Sequence, residues 1–259
     1  LLRGIIRAIE FEEFREALTD IQKAIELDDG DPNKYFAIGF LKSFALSLDH
    51  EGLEDLNKAV NLDPENSLTY LFRGYVNKYL ADKYENKQDF VSTKKYRNAS
   101  IEDFSKALEL YNYEKNPYYK RLYPFGYLYT IYAERGNQYF KIAFSHKELK
   151  DKIMFKSSLD KALEDFDKYI DNAPSLYELE SFKNKPKIFQ YVYIKSSGYT
   201  WKGHVYSWQN KPVSACKEFK KVRKLIGREK HIEIYDQYPS IEQAYYPSIY
   251  GIAKPGTVC

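Results

Sequence analysis

The chain is poor in cysteine, glycine and proline. Its 259 residues include only two cysteines, 12 glycines and 10 prolines. Two cysteines are too few for a zinc cluster or a disulfide framework, and Cys216 is expected to pack as a small apolar residue. The scarcity of glycine and proline argues against an all-β fold, which needs many tight turns.

The chain also has no long apolar run and no strong excess of one charge. No apolar stretch approaches the length that spans a bilayer, so no transmembrane segment is expected. The formal net charge of +3 is too small to indicate a nucleic-acid partner by itself. Aromatic residues, in contrast, are abundant, with 26 tyrosines and 16 phenylalanines. They offer large contact areas at a low cost in side-chain entropy, both in cores and at binding surfaces.

Motifs of catalytic or metal-binding chemistry are missing as well. There is no phosphate-binding glycine loop, no H-E-x-x-H and no C-x-x-C. Residues 28–31 read Asp-Asp-Gly-Asp, which begins like a calcium loop but lacks the later ligands, and they are predicted to form a turn. We therefore expect no enzymatic activity, no cofactor and no metal site.

The first residue is not methionine and falls within a predicted helix, so we expect that preceding residues are missing. The compartment stays open for this reason: the cytoplasm is slightly favoured, and export or a periplasmic location is the alternative. A catalytic domain in that preceding region would make this chain the substrate-recruiting part of a larger enzyme or assembly.

Four segments of the chain are near copies of one another. Each contains an aspartate followed three residues later by a lysine, and a glycine lies upstream of each pair. An internal repeat of this kind predicts stacked units that build binding surfaces more readily than single catalytic pockets. The glycines are Gly4, Gly39, Gly74, Gly136 and, in a fifth and weaker copy, Gly203; the pairs are Asp20/Lys23, Asp55/Lys58, Asp103/Lys106, Asp165/Lys168 and Glu218/Lys221.

Each copy is predicted to form two helices packed as a hairpin. Apolar residues recur at helical spacing, and the glycine allows the second helix to approach the first closely. The aspartate and lysine are expected to pair weakly on one face of the second helix, at roughly 0.2–0.5 kcal/mol. The basic residues that precede the glycines are expected to pair with the neighbouring repeat, and contact with a ligand is the alternative: Arg3, Arg73, Arg135 and Lys202.

The copies differ in length. From the glycine to the late alanine position of the second helix there are 20 residues in the first two units, whereas units three and four have 33. We expect longer helices in unit four, where no proline interrupts them. In unit three, the polar segment Ala81–Asn98 is predicted to be a loop that projects from the hairpin. Residues 110–124 and 174–186 are predicted linkers.

These features resemble the tetratricopeptide repeat (TPR) family. The resemblance is carried by a 35-residue step, the five glycines, the late alanines Ala24, Ala59 and Ala107, and the closing Asp63-Pro64. A departure is Tyr169, which stands in place of the late alanine in unit four. The resemblance implies an all-α, right-handed helical-repeat solenoid of about five TPR-like hairpins, with long insertions in units three and four. We assign residues 1–230 to the array and residues 231–259 to a C-terminal capping segment or tail.

In this family the first helices line a concave face that binds peptides or partner helices. The resemblance therefore implies a scaffold or adaptor that binds a protein or peptide partner, without a cofactor, in an aromatic groove. The alternative is that the same side chains fill the interior of the array. The groove-facing positions are Phe36, Phe40, Phe44, Tyr75, Tyr79, Asn137, Phe140, His204 and Trp208.

Other segments suggest other partners. Residues 217–230 carry seven basic and two acidic residues, which suit a nucleic-acid backbone or an anionic membrane, or simply a solvated helix face. Residues 183–195 mix lysine with aromatics, as single-strand binders do, but no nucleic-acid module accompanies them, so a nucleic acid is not the expected partner. The sequence Tyr-Pro-Ser-Ile occurs at 238–241 and again at 246–249, either as part of an end cap or as a linear motif.

Overall fold

The structure is a computed structural model, which describes residues 1–111, 128–148, 150–174 and 187–226. Within these ranges the chain is helical, without strands, and its ten helices form five hairpins. The all-α prediction and the number of hairpins are thus confirmed. The helices are α1 (Leu2–Glu10), α2 (Phe14–Leu27), α3 (Pro32–Phe40), α4 (Asp49–Leu62), α5 (Ser67–Asn86), α6 (Phe90–Glu109), α7 (Leu128–Glu148), α8 (Lys152–Asn172), α9 (Lys187–Trp208) and α10 (Pro212–Ile226).

The chain divides into two compact units, Leu1–Lys115 and Asn116–Cys259. The first contains the hairpins α1/α2, α3/α4 and α5/α6, and the second contains α7/α8 and α9/α10. Helix α3 continues directly into a π-helical turn at Leu41–Ala45. None of the helices in the described ranges combines the length and apolarity that a membrane crossing needs.

All five hairpins turn in the same way. Two residues before each second helix begins, one residue other than glycine has a positive φ of 54–59°. This left-handed residue redirects the chain so that the second helix returns along the first. These residues are Glu12, Ser47, Gln88, Lys150 and Asn210.

The extra residues of units three and four lengthen both helices of each hairpin. Gly74 and Gly136 lie 14 residues before their left-handed turn residues, whereas Gly39 lies 8 residues before its own. The first helices are therefore six residues longer. Counted from the left-handed turn residue to the repeated aspartate, the second helices are seven residues longer. At 1.5 Å per residue, these two hairpins extend about 10 Å further at their turn ends.

The prediction of a projecting loop at Ala81–Asn98 is therefore wrong, and the prediction of longer helices in unit four is confirmed. Only the short turn between Asn86 and Phe90 interrupts the helices in unit three. The sequence of Ala81–Asn98 is polar because most of its residues face solvent. A narrow buried seam joins the helices, formed by Ala81, Thr93 and a 2%-exposed Arg97.

The repeated glycines lie where the two helices of a hairpin touch. A Cβ atom on Gly74 would lie 2.8 Å from Cε1 of Phe104, and one on Gly136 would lie 2.9 Å from Cε1 of Phe166. Both phenylalanines are fully buried. The glycines therefore make room for a phenylalanine of the second helix, which confirms the predicted close approach.

The repeated aspartates bind an arginine of the first helix. Asp103 accepts hydrogen bonds from Arg73 Nη2 at 2.6 Å and Nε at 3.0 Å, and Asp165 accepts from Arg135 at 2.7 and 2.9 Å. In the first hairpin, Asp20 binds Arg3 in the same manner. The predicted pairing of these three aspartates with the following lysine is therefore wrong, because each carboxylate is bound by the arginine of the preceding helix instead.

The remaining hairpins vary this arrangement. In the second, Lys42 binds Asp55 at 2.6 Å, and in the fifth, Glu218 pairs with Lys221 at 3.0 Å as predicted. The prediction of contacts between neighbouring repeats is confirmed for Lys202, which donates to Asp167 of α8, and for Arg73, which donates to Asn57 of α4 at 3.0 Å. Arg3 and Arg135 instead bind the aspartate of their own hairpin.

Cys216 of α10 is half-buried, and its packing as a small apolar residue stays a prediction. The chain's one other cysteine is Cys259, which lies outside the described residues. The same holds for the C-terminal segment 231–259 with both Tyr-Pro motifs, and for most of the two predicted linkers.

Candidate interaction surface

An aromatic strip runs across the first helices of two neighbouring hairpins in the first unit. We define it as Phe36, Phe40, Phe44, Phe72 and Tyr79. The first three are spaced by four residues, which places them along one face of α3 and its π-helical turn. Their rings lie 6.3 Å apart from Phe36 to Phe40 and 4.9 Å apart from Phe40 to Phe44, measured between ring centroids.

Phe72 of α5 joins the two helices of the strip. Its ring lies edge-on to the rings of Phe36, Phe40 and Phe44, at 5.5, 5.2 and 5.7 Å between centroids. Tyr79 extends the strip on the same helix, 5.7 Å from Phe44. The sequence prediction missed Phe72. Its spacing of seven residues, or two helical turns, from Tyr79 is the signal that marks it as a residue of the same face.

The strip is half-buried at its base and open at its surface. Phe40 is 40% exposed and Tyr79 is 42% exposed, whereas Phe36, Phe44 and Phe72 are half-buried. The rings beneath thus fix the two exposed ones in place.

Tyr75, although it neighbours the strip, has a different role. Its ring is half-buried, and it lies edge-on to the fully buried ring of Phe104 at 5.6 Å. It therefore closes the interior of the α5/α6 hairpin on the side that faces the strip.

A smaller aromatic contact joins the first helices of the second unit. Phe140 and Phe144 of α7 are 5.1 Å apart, and Phe144 is 4.7 Å from Trp208 of α9. The ammonium group of Lys147 lies 4.1 Å from the indole centroid of Trp208, in cation–π geometry. Asn137 is half-buried on α7. The sequence prediction missed Phe144 and Lys147, which lie 8 and 11 residues after Gly136 on α7.

His204 lies inside the last hairpin. Its side chain is packed against Phe219, with the ring centroids 5.6 Å apart, and the residue is only 9% exposed. Burial lowers the pKa of its imidazole below the ordinary value. His204 is thus a core residue of the α9/α10 hairpin and offers little surface to a partner.

Acidification is expected to destabilise this hairpin. Because the pKa of His204 is lower in the folded state, the unfolded chain takes up a proton first, and stability falls as the pH drops below about 6.5. Urea unfolding between pH 7.5 and 5.5 measures this. In His204→Phe the ring still packs on Phe219 and that part of the pH dependence is expected to vanish, whereas His50→Gln, which changes an exposed histidine of α4, keeps it. An unchanged pH dependence in His204→Phe would contradict the assignment.

The structure gives less support to a metal site and to the basic stretch as functional sites. Among the described residues, no group of three or more His, Cys, Asp and Glu side chains is arranged to hold a metal ion. The basic stretch 217–230 begins on α10, where Lys217, Lys220 and Lys224 are exposed to solvent.

Comparison with known proteins shows that this chain is similar in fold to several solved structures. No protein-family model matches the chain, and no curated protein sequence matches it either. Two crystal structures of MamA are similar, with TM-scores of 0.51 and 0.50 at 17% identity; they cover 91% and 85% of this chain and 91% and 92% of the MamA chains. TTC0263, a thermophilic TPR protein of Thermus thermophilus, matches at a TM-score of 0.41 and 15% identity, over 93% of this chain and 95% of its own. With five helical hairpins, each holding a glycine where its helices touch, the chain has a TPR-like, all-α helical-repeat fold.

Proposed function

We propose that this protein is an interaction scaffold, and that the aromatic strip of its first unit binds an apolar segment of a protein partner. The observation that carries the proposal is the exposure of Phe40 and Tyr79 above a half-buried aromatic base. Aromatic side chains exposed to water in this way favour contact with another apolar surface.

The geometry of the strip supports tight contact at a small entropic cost. Phe40 packs against Phe36, Phe44 and Phe72, and this packing restricts its ring before any partner arrives. A preorganised side chain loses little freedom on binding, so more of the contact energy contributes to affinity. Edge-on aromatic contacts each add about 0.5–1.5 kcal/mol beyond the buried area.

The fitting occupant is a peptide or helix that presents aromatic or large aliphatic side chains. The strip crosses two helices, so a partner would contact α3 and α5 together and would need at least two such side chains. The ammonium group of Lys78, 5.4 Å from the Tyr79 ring centroid, places a positive charge at the margin. An acidic residue next to the apolar ones would therefore be favoured.

A displayed peptide library tests the proposal. Selection on the full chain is expected to enrich peptides with aromatic or large aliphatic residues. Their affinity is expected to fall about 30-fold or more in Phe40→Ser plus Tyr79→Ser, because central aromatic anchors typically contribute about 2 kcal/mol or more. Fluorescence polarisation with a labelled selected peptide measures the change.

Leu62→Ser provides the matched control. Leu62 is 41% exposed, like the two strip residues, but it lies on α4, a second helix. It is expected to leave the affinity unchanged. The proposal fails if no peptide is enriched, or if Leu62→Ser weakens binding as much as the strip variant does.

A further inference from the structure

The turns of the two extended hairpins carry apolar side chains that face solvent. In the first turn of α6, Phe90 is 67% exposed and Val91 is 82% exposed. In the first turn of α8, Ile153 is 81% exposed and Met154 is 44% exposed. The two sequences are unrelated, yet both place an exposed apolar pair at the end of a hairpin that is about two turns longer than the others.

Exposed lysines surround each pair. Lys87, Lys94 and Lys95 flank the first pair, and all three are exposed. The second pair is flanked in the same way by three exposed lysines, which are Lys150, Lys152 and Lys156. Each turn thus combines an apolar tip with a positively charged margin.

Three acidic residues near these turns make contacts within the protein. Asp89 accepts a hydrogen bond from the backbone of Ser92 at 3.1 Å, and Asp151 accepts one from Met154 at 3.0 Å, so both act as helix caps. Glu85 lies 3.0 Å from the guanidinium of the buried Arg97. These three carboxylates are held by groups of the protein, whereas the six lysines are exposed to solvent.

We infer that the α5/α6 turn and the α7/α8 turn can each bind an anionic lipid surface. The apolar pair enters the boundary between headgroups and acyl chains, and the lysines contact anionic headgroups. Long lysine side chains reach the headgroups while the hairpin tip stays inserted.

A lipid surface fits these turns better than a protein partner does. A stable protein interface buries about 800 Å² on each side and needs a complementary shape, whereas each tip offers two protruding apolar side chains. A membrane surrounds single protruding side chains without such a shape. The positive margin gives the complementary charge to an anionic bilayer.

Co-sedimentation of the full chain with vesicles tests the inference. Binding is expected to vesicles of phosphatidylcholine with about one third phosphatidylserine, to be weak on phosphatidylcholine alone, and to decrease as salt is raised. Phe90→Ser plus Val91→Ser, or Ile153→Ser plus Met154→Ser, is expected to weaken binding about tenfold or more. Lys94→Gln is expected to weaken it about fivefold.

Leu27→Ser is the matched control for the apolar variants. Leu27 is 88% exposed at the end of α2, and its neighbours Glu26 and Asp28 are acidic. Its removal is expected to leave vesicle binding unchanged. In addition, Phe90→Trp is expected to shift the tryptophan emission to shorter wavelength when anionic vesicles are added.

Three outcomes would overturn the inference. The first is a chain that does not bind anionic vesicles. The second is binding that survives both paired serine variants and is instead lost when Lys217, Lys220 and Lys224 become glutamine, which would assign the contact to α10. The third is loss of a selected peptide, rather than of vesicles, in the tip variants. Because the strip variant Phe40→Ser plus Tyr79→Ser is expected to bind vesicles normally, failure of this inference is distinct from failure of the proposed function.

Discussion

Asp103→Ala is expected to lower the free energy of unfolding by about 3–5 kcal/mol, because it leaves a largely buried charge without its partner. Asp103 is 3% exposed and accepts hydrogen bonds from Arg73 of the facing helix and from Asn77 at 2.8 Å. Burial raises the pKa of its carboxyl group, although the hydrogen bond and charge of Arg73 act in the opposite direction. The variant removes the acceptor for both donors at once.

Lys106→Ala provides the comparison, since Lys106 is the residue that the sequence pattern pairs with Asp103. In the structure Lys106 binds Glu109 at 2.8 Å on the helix surface, and its loss is expected to change stability by less than about 0.5 kcal/mol. Urea denaturation of the two variants measures both effects. The Arg73→Ala plus Asp103→Ala variant is expected to lose less than the sum of the single variants, because the two residues act as a pair. Equal losses in Asp103→Ala and Lys106→Ala would contradict the structural assignment.

This aspartate also marks what the sequence can and cannot predict. The pattern contains both partners, the arginine before the glycine and the aspartate of the second helix, at fixed places in the repeat. From this pattern the aspartate is paired with the lysine three residues later, because residues three apart on a helix are known to be neighbours from the sequence alone. The true partner is 30 residues away in units three and four and 17 away in unit one, a distance that depends on the length of the hairpin.

Helix length itself was predictable only in part. The number of hairpins follows from the repeat, and the 13 extra residues are visible as longer spacing between its markers. Whether these extra residues form a loop or extend the helices depends on whether they supply a buried seam between the two helices. In residues 81–98 the seam consists of a few side chains such as Ala81 and Arg97, and one of them is charged, so average polarity suggests a loop. Arg97 can be buried because Asp82 and Glu85 lie close enough to neutralise it.

The predicted groove positions illustrate the same limit. Counting from the glycine finds Phe40 and Tyr79, the two strip residues with the largest exposure, but it also selects His204, which faces the interior. It misses Phe72, the ring that joins the two helices. A fixed offset assumes that all first helices turn the same face outward, whereas the rotation of each helix is set by its own packing.

Phe104→Ala is the second variant with a large expected effect, a loss of about 3–5 kcal/mol in the free energy of unfolding. Phe104 is fully buried on α6, and its ring lies against Gly74, which has no side chain to fill the space that the ring would leave. Tyr75 also loses its edge-on neighbour. Phe90→Ala, on the same helix, is the matched control, because a 67%-exposed ring contributes little to the core and is expected to cost less than about 0.5 kcal/mol.

Which helices lose stability in Phe104→Ala tests the repeat architecture more sharply than the size of the loss in the free energy of unfolding does. In a repeat array each hairpin is stabilised mainly by itself and its sequence neighbours, so the effect of Phe104→Ala should be local. Hydrogen exchange followed by mass spectrometry is expected to show lost amide protection in α5 and α6, with protection in α8 retained. A uniform loss along the chain would mean that all five hairpins unfold together. In that case a change in the first unit would also alter the second, and a local interpretation of the strip variants would require a matching measurement of their stability.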